Sequence, residues 1–203
     1  MLSHFKLPLF LKPQLKIKCM NIRSLEKNFT LLKRQLKFSD VVVAVETKCK
    51  NVSEKKYEYQ HFNGVDFFFN NQVAICFKPT LKRYISEVTN FSNYALALTL
   101  NFTHVEPLVI VGIYLKPNIK YEAFDVYDQI KKIKNRCIIC GDLNNNTKLI
   151  KLISKGMTRD NNDPTRGKNL LDYFLSRDVK CSGIKYIHNI ALDHKILFAN
   201  YIL

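Results

Sequence analysis

The stretch Arg136-Cys-Ile-Ile-Cys-Gly-Asp-Leu-Asn-Asn-Asn-Thr147 sets a carboxylate and an amide two residues apart, directly after an apolar run that a glycine breaks. Such a run reads as a buried central strand. Its end delivers Asp142 and Asn144 to a strand tip, where α/β folds keep their chemistry. The pairing suits work on a phosphate: the carboxylate accepts a proton or binds a metal, and the amide positions an oxygen. Taken alone, Gly-Asp-x-Asn is also an ordinary turn, since all three residue types favour turns. Four further strand ends carry polar residues: Asn21, Glu46, Tyr114 and the pair Asp193-His194. Asp172 lies inside the otherwise apolar Leu170-Leu-Asp-Tyr-Phe-Leu-Ser176, and a carboxylate there is costly to bury unless it is paired. Each of these has a plainer reading. Glu46 and Asn21 are also suited to capping, Tyr114 to a core edge, and His194 to a surface turn.

The elements that must position these residues follow from hydrophobic spacing. Residues 15–22 alternate Leu15, Ile17 and Cys19 with Lys16 and Lys18, which predicts a strand. Ser24 is a plausible N-cap, followed by Leu25, Phe29, Leu32 and Leu36 at helical spacing; Ser39-Asp40 ends that helix. The β-branched run 41–45 predicts a fully buried strand with Glu46 at its tip. Residues 48–61 are polar and read as loop or short helix. Short runs at 65–69, 72–78, 82–88 and 94–102, parted by turn residues, predict antiparallel hairpins. A strand over 108–115 leads into Tyr114-Leu-Lys-Pro-Asn118, and a stripe of Phe124, Tyr127, Ile130 and Ile133 predicts a helix before the Cys137 strand. Beyond Asp142, Leu149, Ile150 and Ile153 predict a helix closed by Gly156, and strands are expected over 169–176, 184–190 and 195–203. Many strands with few helices imply an α/β fold of two sheets packed face to face, with helices outside.

Composition bounds the rest. A chain of 203 residues suits one domain over 1–203, with 1–14 as an N-terminal extension. Lys and Arg number 32 against 17 Asp and Glu, a formal +15. Such an excess attracts polyanions, either nucleic acid or an anionic membrane surface, although a basic surface also serves solubility. No apolar run approaches the ~18–20 residues of a membrane-spanning helix. The first eleven residues superficially resemble a signal peptide, but Lys6 and Pro8 interrupt them and no small-residue cleavage site follows. The six cysteines sit mostly in apolar runs, and Cys137 and Cys140, three apart on a strand, face opposite sides. Buried reduced thiols are therefore expected, and with them an intracellular protein that is not secreted.

Taken together, Lys18-Cys-Met-Asn21, Val45-Glu-Thr47, Gly112-Ile-Tyr114, Gly141-Asp-Leu-Asn144, Leu171-Asp-Tyr-Phe-Leu-Ser176 and Asp193-His194 occur in an order that resembles the endonuclease/exonuclease/phosphatase (DNase I-like) superfamily. The resemblance spans about residues 16–202. Leu171-Asp-Tyr-Phe-Leu-Ser176 is similar to exonuclease III-type abasic-site endonucleases, whereas Asn21-Ile-Arg-Ser-Leu25 and Asp163-Pro-Thr-Arg-Gly167 look like non-LTR retrotransposon endonucleases. The chain departs from the pattern at Leu192, where Ser is usual, and at Arg23, where abasic-site endonucleases carry Asp.

The resemblance implies a four-layer α/β sandwich and a Mg²⁺-dependent (or Mn²⁺-dependent) DNA endonuclease that nicks double-stranded DNA, with no membrane partner. It implies that Glu46 binds the metal and Asp193 is a secondary acidic ligand. Asp142 would orient or deprotonate the attacking water, and Asn144 would hold Asp142 or a phosphate oxygen. His194 would meet the phosphate as a cation, oriented by Asp172. Tyr114 would donate to the phosphate or the leaving oxygen, and Asn21 would steady the surrounding oxygens. Arg166, Lys116 and Asn118 would contact substrate. Two other readings stay open: a phosphatase or lipid phosphodiesterase of the same fold, and a nucleic-acid-binding module without catalysis.

Overall fold

A computed structural model of the chain describes residues 13–49, 57–117, 121–144 and 146–203. The chain begins with β1 (Gln14–Asn21), α1 (Leu25–Leu36) and β2 (Val41–Val45). Three antiparallel strands follow, β3 (Glu58–Phe62), β4 (Val65–Phe69) and β5 (Val73–Phe77), then β6 (Ile85–Ser92), β7 (Ala95–Leu100) and β8 (Leu108–Tyr114). The second half runs α2 (Tyr121–Lys132), β9 (Arg136–Asp142), α3 (Thr147–Ile153), β10 (Thr158–Arg159), β11 (Asp172–Arg177), β12 (Lys180–Ile187) and β13 (Ile196–Ile202). Among the described residues these make a seven-stranded sheet, β12-β13-β1-β2-β5-β4-β3, and a six-stranded sheet, β10-β11-β9-β8-β7-β6. Each is mixed, with one parallel pair: β1 with β2 in the first, β8 with β9 in the second.

The sheets meet through one face of each. Val43, Ile75 and Ile17 from the first pack on Leu96, Ile110, Ile138 and Phe174 from the second. The outer face of the seven-stranded sheet takes Leu25, Leu32 and Leu36 of α1, and that of the six-stranded sheet takes Val126, Ile130, Leu149 and Ile153 of α2 and α3. This is the expected four-layer sandwich. Cys137 faces the α2 and α3 layer and Cys140 faces the middle core, so their spacing on one strand does send them to opposite layers. Lys18, on the outer face of β1, is buried beneath α1. Its ammonium finds partners by donating to the Gln35 carbonyl (3.2 Å) and to Gln35 Oε1 (2.8 Å).

The sheets approach each other tightly at Gly112. A Cβ placed there would lie 2.7 Å from Cγ1 of both Val43 and Val73. Gly112→Ala is therefore expected to destabilise the fold by about 1–3 kcal/mol, the usual cost of overpacking a tight core. Urea unfolding checks this, and a midpoint equal to that of the parent chain would refute it.

Three local expectations need correction. The polar segment 48–61 contains β3, because a strand exposed on both sides carries no alternation to read; residues 50–56 lie outside the described residues. The expected strand over 82–88 is preceded by a 3₁₀ turn (Pro79–Tyr84) and begins at Ile85, since Pro79 favours a helical start. The strand expected over 169–176 starts at Asp172, because the backbone of Arg166 and Asn169 first closes a tight bridge of its own.

Candidate active site

The parallel pairs bring the ends of β1 and β2, and of β8 and β9, to the same edge of the sandwich. β11 runs antiparallel to β9 and so begins there. In register, Tyr114 lies opposite Asp142, and Asp142 lies opposite Asp172, which makes one row of three polar residues across the six-stranded sheet. Gly141 permits this row. Its φ is +154°, and a Cβ would sit 1.8 Å from the Ile113 carbonyl oxygen, so any side chain would push β8 away from β9. Two like charges directly opposite each other in a sheet are unfavourable. The rest of the site consists of groups that answer that cost.

Asn21, at the tip of β1, donates from Nδ2 to Asp142 Oδ2 at 2.9 Å. The Asn21 amide is oriented from behind, since its Oδ1 accepts from the Arg23 backbone N–H at 3.2 Å. Asp142 Oδ1 accepts from the backbone N–H of Asn144 (2.9 Å), while the Asn144 side chain donates to the Leu115 carbonyl (2.6 Å). Asn144 thus holds Asp142 with its main chain and β8 with its amide. His194 Nδ1 donates to Asp172 Oδ2 at 2.7 Å, and His194 Nε2 lies 3.9 Å from Asp142 Oδ2. These groups are almost fully buried: Asp142 is 2%, Asp172 1% and His194 4% exposed.

The electrostatics follow from that burial. Burial first, and the Asp172 charge second, push Asp142 up to about 7, against opposing pulls from His194, Asn21 and the Asn144 N–H. For His194 burial pulls the pKa down, but the hydrogen bond to Asp172 and the charges of Asp172, Asp142 and Asp193 outweigh it and raise it. Tyr114 is pushed up to about 12 by burial, then by Glu46 and Asp142, so it remains a hydrogen-bond donor at neutral pH. Glu46 itself stands at positive φ (58°), half-buried, with Oε1 2.8 Å from Lys48 Nζ.

The remaining candidates lie at the rim. Asp193 Oδ2 is shared by Arg23 Nη2 (3.0 Å) and Arg166 Nη2 (2.9 Å), so two guanidiniums already occupy its acceptor. The Lys116 side chain is exposed, with its ammonium over the Tyr94 ring at 5.6 Å. Asn118 lies outside the described residues.

Two further residues, Thr165 inside the Asp163–Gly167 motif and Asn161 before it, receive no role from the sequence. Thr165 is fully buried; its hydroxyl accepts from the backbone N–H groups of Leu171 and Asp172 (both 3.1 Å), and its carbonyl accepts from Lys195 N–H (2.8 Å). It therefore clasps the backbone at Asp172 and immediately after His194. Asn161, also buried, donates to the Asp172 carbonyl (2.9 Å) and accepts from Phe174 N–H (2.6 Å). Both sit in a polar stretch where only tertiary contact tells a buried side chain from a solvated one.

A cation fits this arrangement. Among the described residues Asp172 Oδ1 is buried without a hydrogen-bond partner, and the Asp142–Asp172 pair leaves negative charge that His194 only partly balances. Carboxylate oxygens of this kind suit a hard divalent ion such as Mg²⁺ or Mn²⁺. Both Asp142 and His194 have folded pKa values above their ordinary ones. Their contribution to stability is therefore present at low pH and lost as pH rises, for Asp142 from 3.8 through about 7. Added Mg²⁺ should reverse that loss, because it competes with protons for the same oxygens. The melting temperature is expected to rise more with Mg²⁺ at pH 8 than at pH 5.5, and equal shifts at both values would contradict the fit.

No protein-family model matches the chain, and no curated protein matches it. Solved structures do. The endonuclease domain of TRAS1, a telomere-specific non-LTR retrotransposon, superposes with a TM-score of 0.67 at 16% identity, over 93% of this chain and 98% of that one. The 2′,3′-cyclic phosphatase ANGEL2 gives 0.62 at 12% identity, covering 95% and 96%. The 3′ phosphatase NExo from Neisseria, bound to product DNA hairpin, gives 0.60 at 12% identity, covering 91% and 98%. The chain thus shares the DNase I-like α/β sandwich fold of these structures. By name these three neighbours are one endonuclease domain and two phosphatases.

Proposed function

We propose that the protein is a Mg²⁺-dependent endonuclease that hydrolyses DNA phosphodiester bonds. The observation that carries this is the hydrogen-bonded chain Asn21–Asp142 beside Asp172–His194 at one edge of the sandwich. A carboxylate near pH 7 in its titration, backed by a histidine–aspartate pair, supplies both a proton acceptor and a cation to one phosphate. The +15 charge favours a polyanionic substrate, and one matched neighbour is a retrotransposon endonuclease.

In this reading Asp142 takes a proton from the attacking water, its two oxygens fixed by Asn21 and by the Asn144 N–H. His194, held by Asp172 and charged, pairs with a non-bridging phosphate oxygen. Tyr114 donates a hydrogen bond to a phosphate or leaving oxygen, and its high pKa keeps the proton available. The Asp142–Asp172 pair, with Glu46 whose charge reaches the same Tyr114, would hold the ion. When bound, the ion would offset phosphate charge and make water a better nucleophile. Asp193, turned toward two arginines, would serve the rim of the site.

The test is a supercoiled plasmid incubated with the protein and Mg²⁺. Nicked circles that EDTA prevents would support the reading. Absence of nicking on intact and abasic DNA, with turnover of phosphomonoesters instead, would move the protein to the phosphatases.

A further inference from the structure

We propose that Arg23 and Arg166, gathered on Asp193, seat a second phosphate of the substrate beside the one being cut, so that the site selects esters with neighbouring phosphates, the repeat of a polynucleotide strand. This rests on the reading of the site as a phosphodiesterase and specifies what that site recognises.

Both Nη2 atoms lie within 3.0 Å of one oxygen, Asp193 Oδ2, so two forks already converge on a single anionic oxygen. Two cations against one carboxylate leave a net positive charge at this spot. Each guanidinium has five N–H donors. Among the described residues neither side chain has another polar partner, so most of those donors are uncommitted. The two arginine side chains are about half exposed (52% and 48%), while that of Asp193 is more covered at 28%. Asp193 thus anchors two side chains that solvent reaches. A planar fork suits phosphate oxygens better than an ammonium does.

Three separate connections tie this cluster to the reacting centre. The Arg23 N–H donates to Asn21 Oδ1, and Asn21 in turn holds Asp142. Asp193 directly precedes His194, which feels its charge. Arg166 follows Thr165, whose hydroxyl and carbonyl fix the backbone at Asp172 and Lys195. The seat is therefore built on the same supports as the catalytic groups. That fixes its distance from them, as recognition of a neighbouring phosphate requires.

The experiment compares kcat/KM for a dinucleoside monophosphate, the same dinucleotide carrying a terminal phosphate, and inositol bisphosphate, each with Mg²⁺. The terminal phosphate is expected to raise the efficiency of the parent chain by about tenfold, the scale of one charge-assisted hydrogen bond. Arg23→Gln and Arg166→Gln should each lose most of that advantage, chiefly through KM, and the Arg→Lys variants should keep part of it. Because both side chains are half exposed, thermal melts of the variants should match the parent. An advantage of the same size in parent and variants would overturn the seat. An equal advantage for inositol bisphosphate would overturn its assignment to a strand. If the parent hydrolyses none of these esters, the seat is judged by binding alone, while the phosphodiesterase reading stands or falls on the plasmid assay. In EDTA, a neutral methylphosphonate scanned along a short labelled duplex should weaken the parent at one position and leave Arg23→Gln and Arg166→Gln indifferent there. A scan with no such position overturns the seat independently.

Discussion

Asp142→Asn is expected to lower DNA cleavage by roughly 10²–10⁴-fold, the usual scale for loss of one acid–base group. The change keeps the size of the side chain but removes its capacity to take a proton. It also sets an amide donor against Asn21 Nδ2, which now donates to Asp142 Oδ2 at 2.9 Å. The same variant has a second readout that a purely structural role would not give. Burial and the facing Asp172 hold Asp142 up at about 7, against an ordinary 3.8. In the metal-free parent the charged form is therefore costly, and stability falls as pH rises between those values. The variant cannot ionise there, so its melting temperature should decline less from pH 5 to pH 8 than that of the parent. Parallel declines, or full cleavage activity, would remove Asp142 from the centre of the mechanism.

The second large effect concerns His194→Ala. Asp172 Oδ2 has His194 Nδ1 as its partner at 2.7 Å, and Asp172 Oδ1 is already buried without one. Removing the imidazole strands a carboxylate in the interior, which typically costs about 3–5 kcal/mol. Cleavage should also fall by roughly 10²–10⁴-fold, since the phosphate loses its cationic partner. Stability and catalysis can then be separated. His194→Ala combined with Asp172→Asn removes the stranded charge, so the double variant should recover much of the stability and none of the activity. Its turnover should be about that of His194→Ala alone, because the two residues act as a unit and their effects do not add. A double variant no more stable than the single one would mean that Asp172 is neutral or solvated in the fold.

Much of the sandwich was legible along the chain because its cause is local. Leu15, Ile17 and Cys19 alternate and lie on the face that meets the second sheet. Ser24 caps α1 as its position predicts, accepting from Lys27 N–H at 3.4 Å, and Leu25, Leu32 and Leu36 bury the stripe their spacing defines. The break at Gly141 was readable too, and the structure adds why it must be glycine: Ile113 of β8 lies where a side chain would go.

The sequence by itself determined which residue types stand at the strand tips, Asn21, Glu46, Tyr114 and Asp142, because a run of apolar residues ending in a polar one is local information; that Asp172 also begins a strand there came from the structure. The sequence could not determine which of them touch. Asn21 and Asp142 are 121 positions apart, and their hydrogen bond exists only because β1 and β9 lie in different sheets whose ends reach the same edge. The partner of Asp193 was likewise beyond reach. Its neighbours Arg23 and Arg166 come from the turn after β1 and the loop before β11, and nothing along the chain pairs them with the acidic residue before His194. Thr165 and Asn161 look like loop residues in any linear reading. Burial turns their hydrogen bonds from exchangeable with water into obligatory ones, and burial is a property of the packed molecule alone.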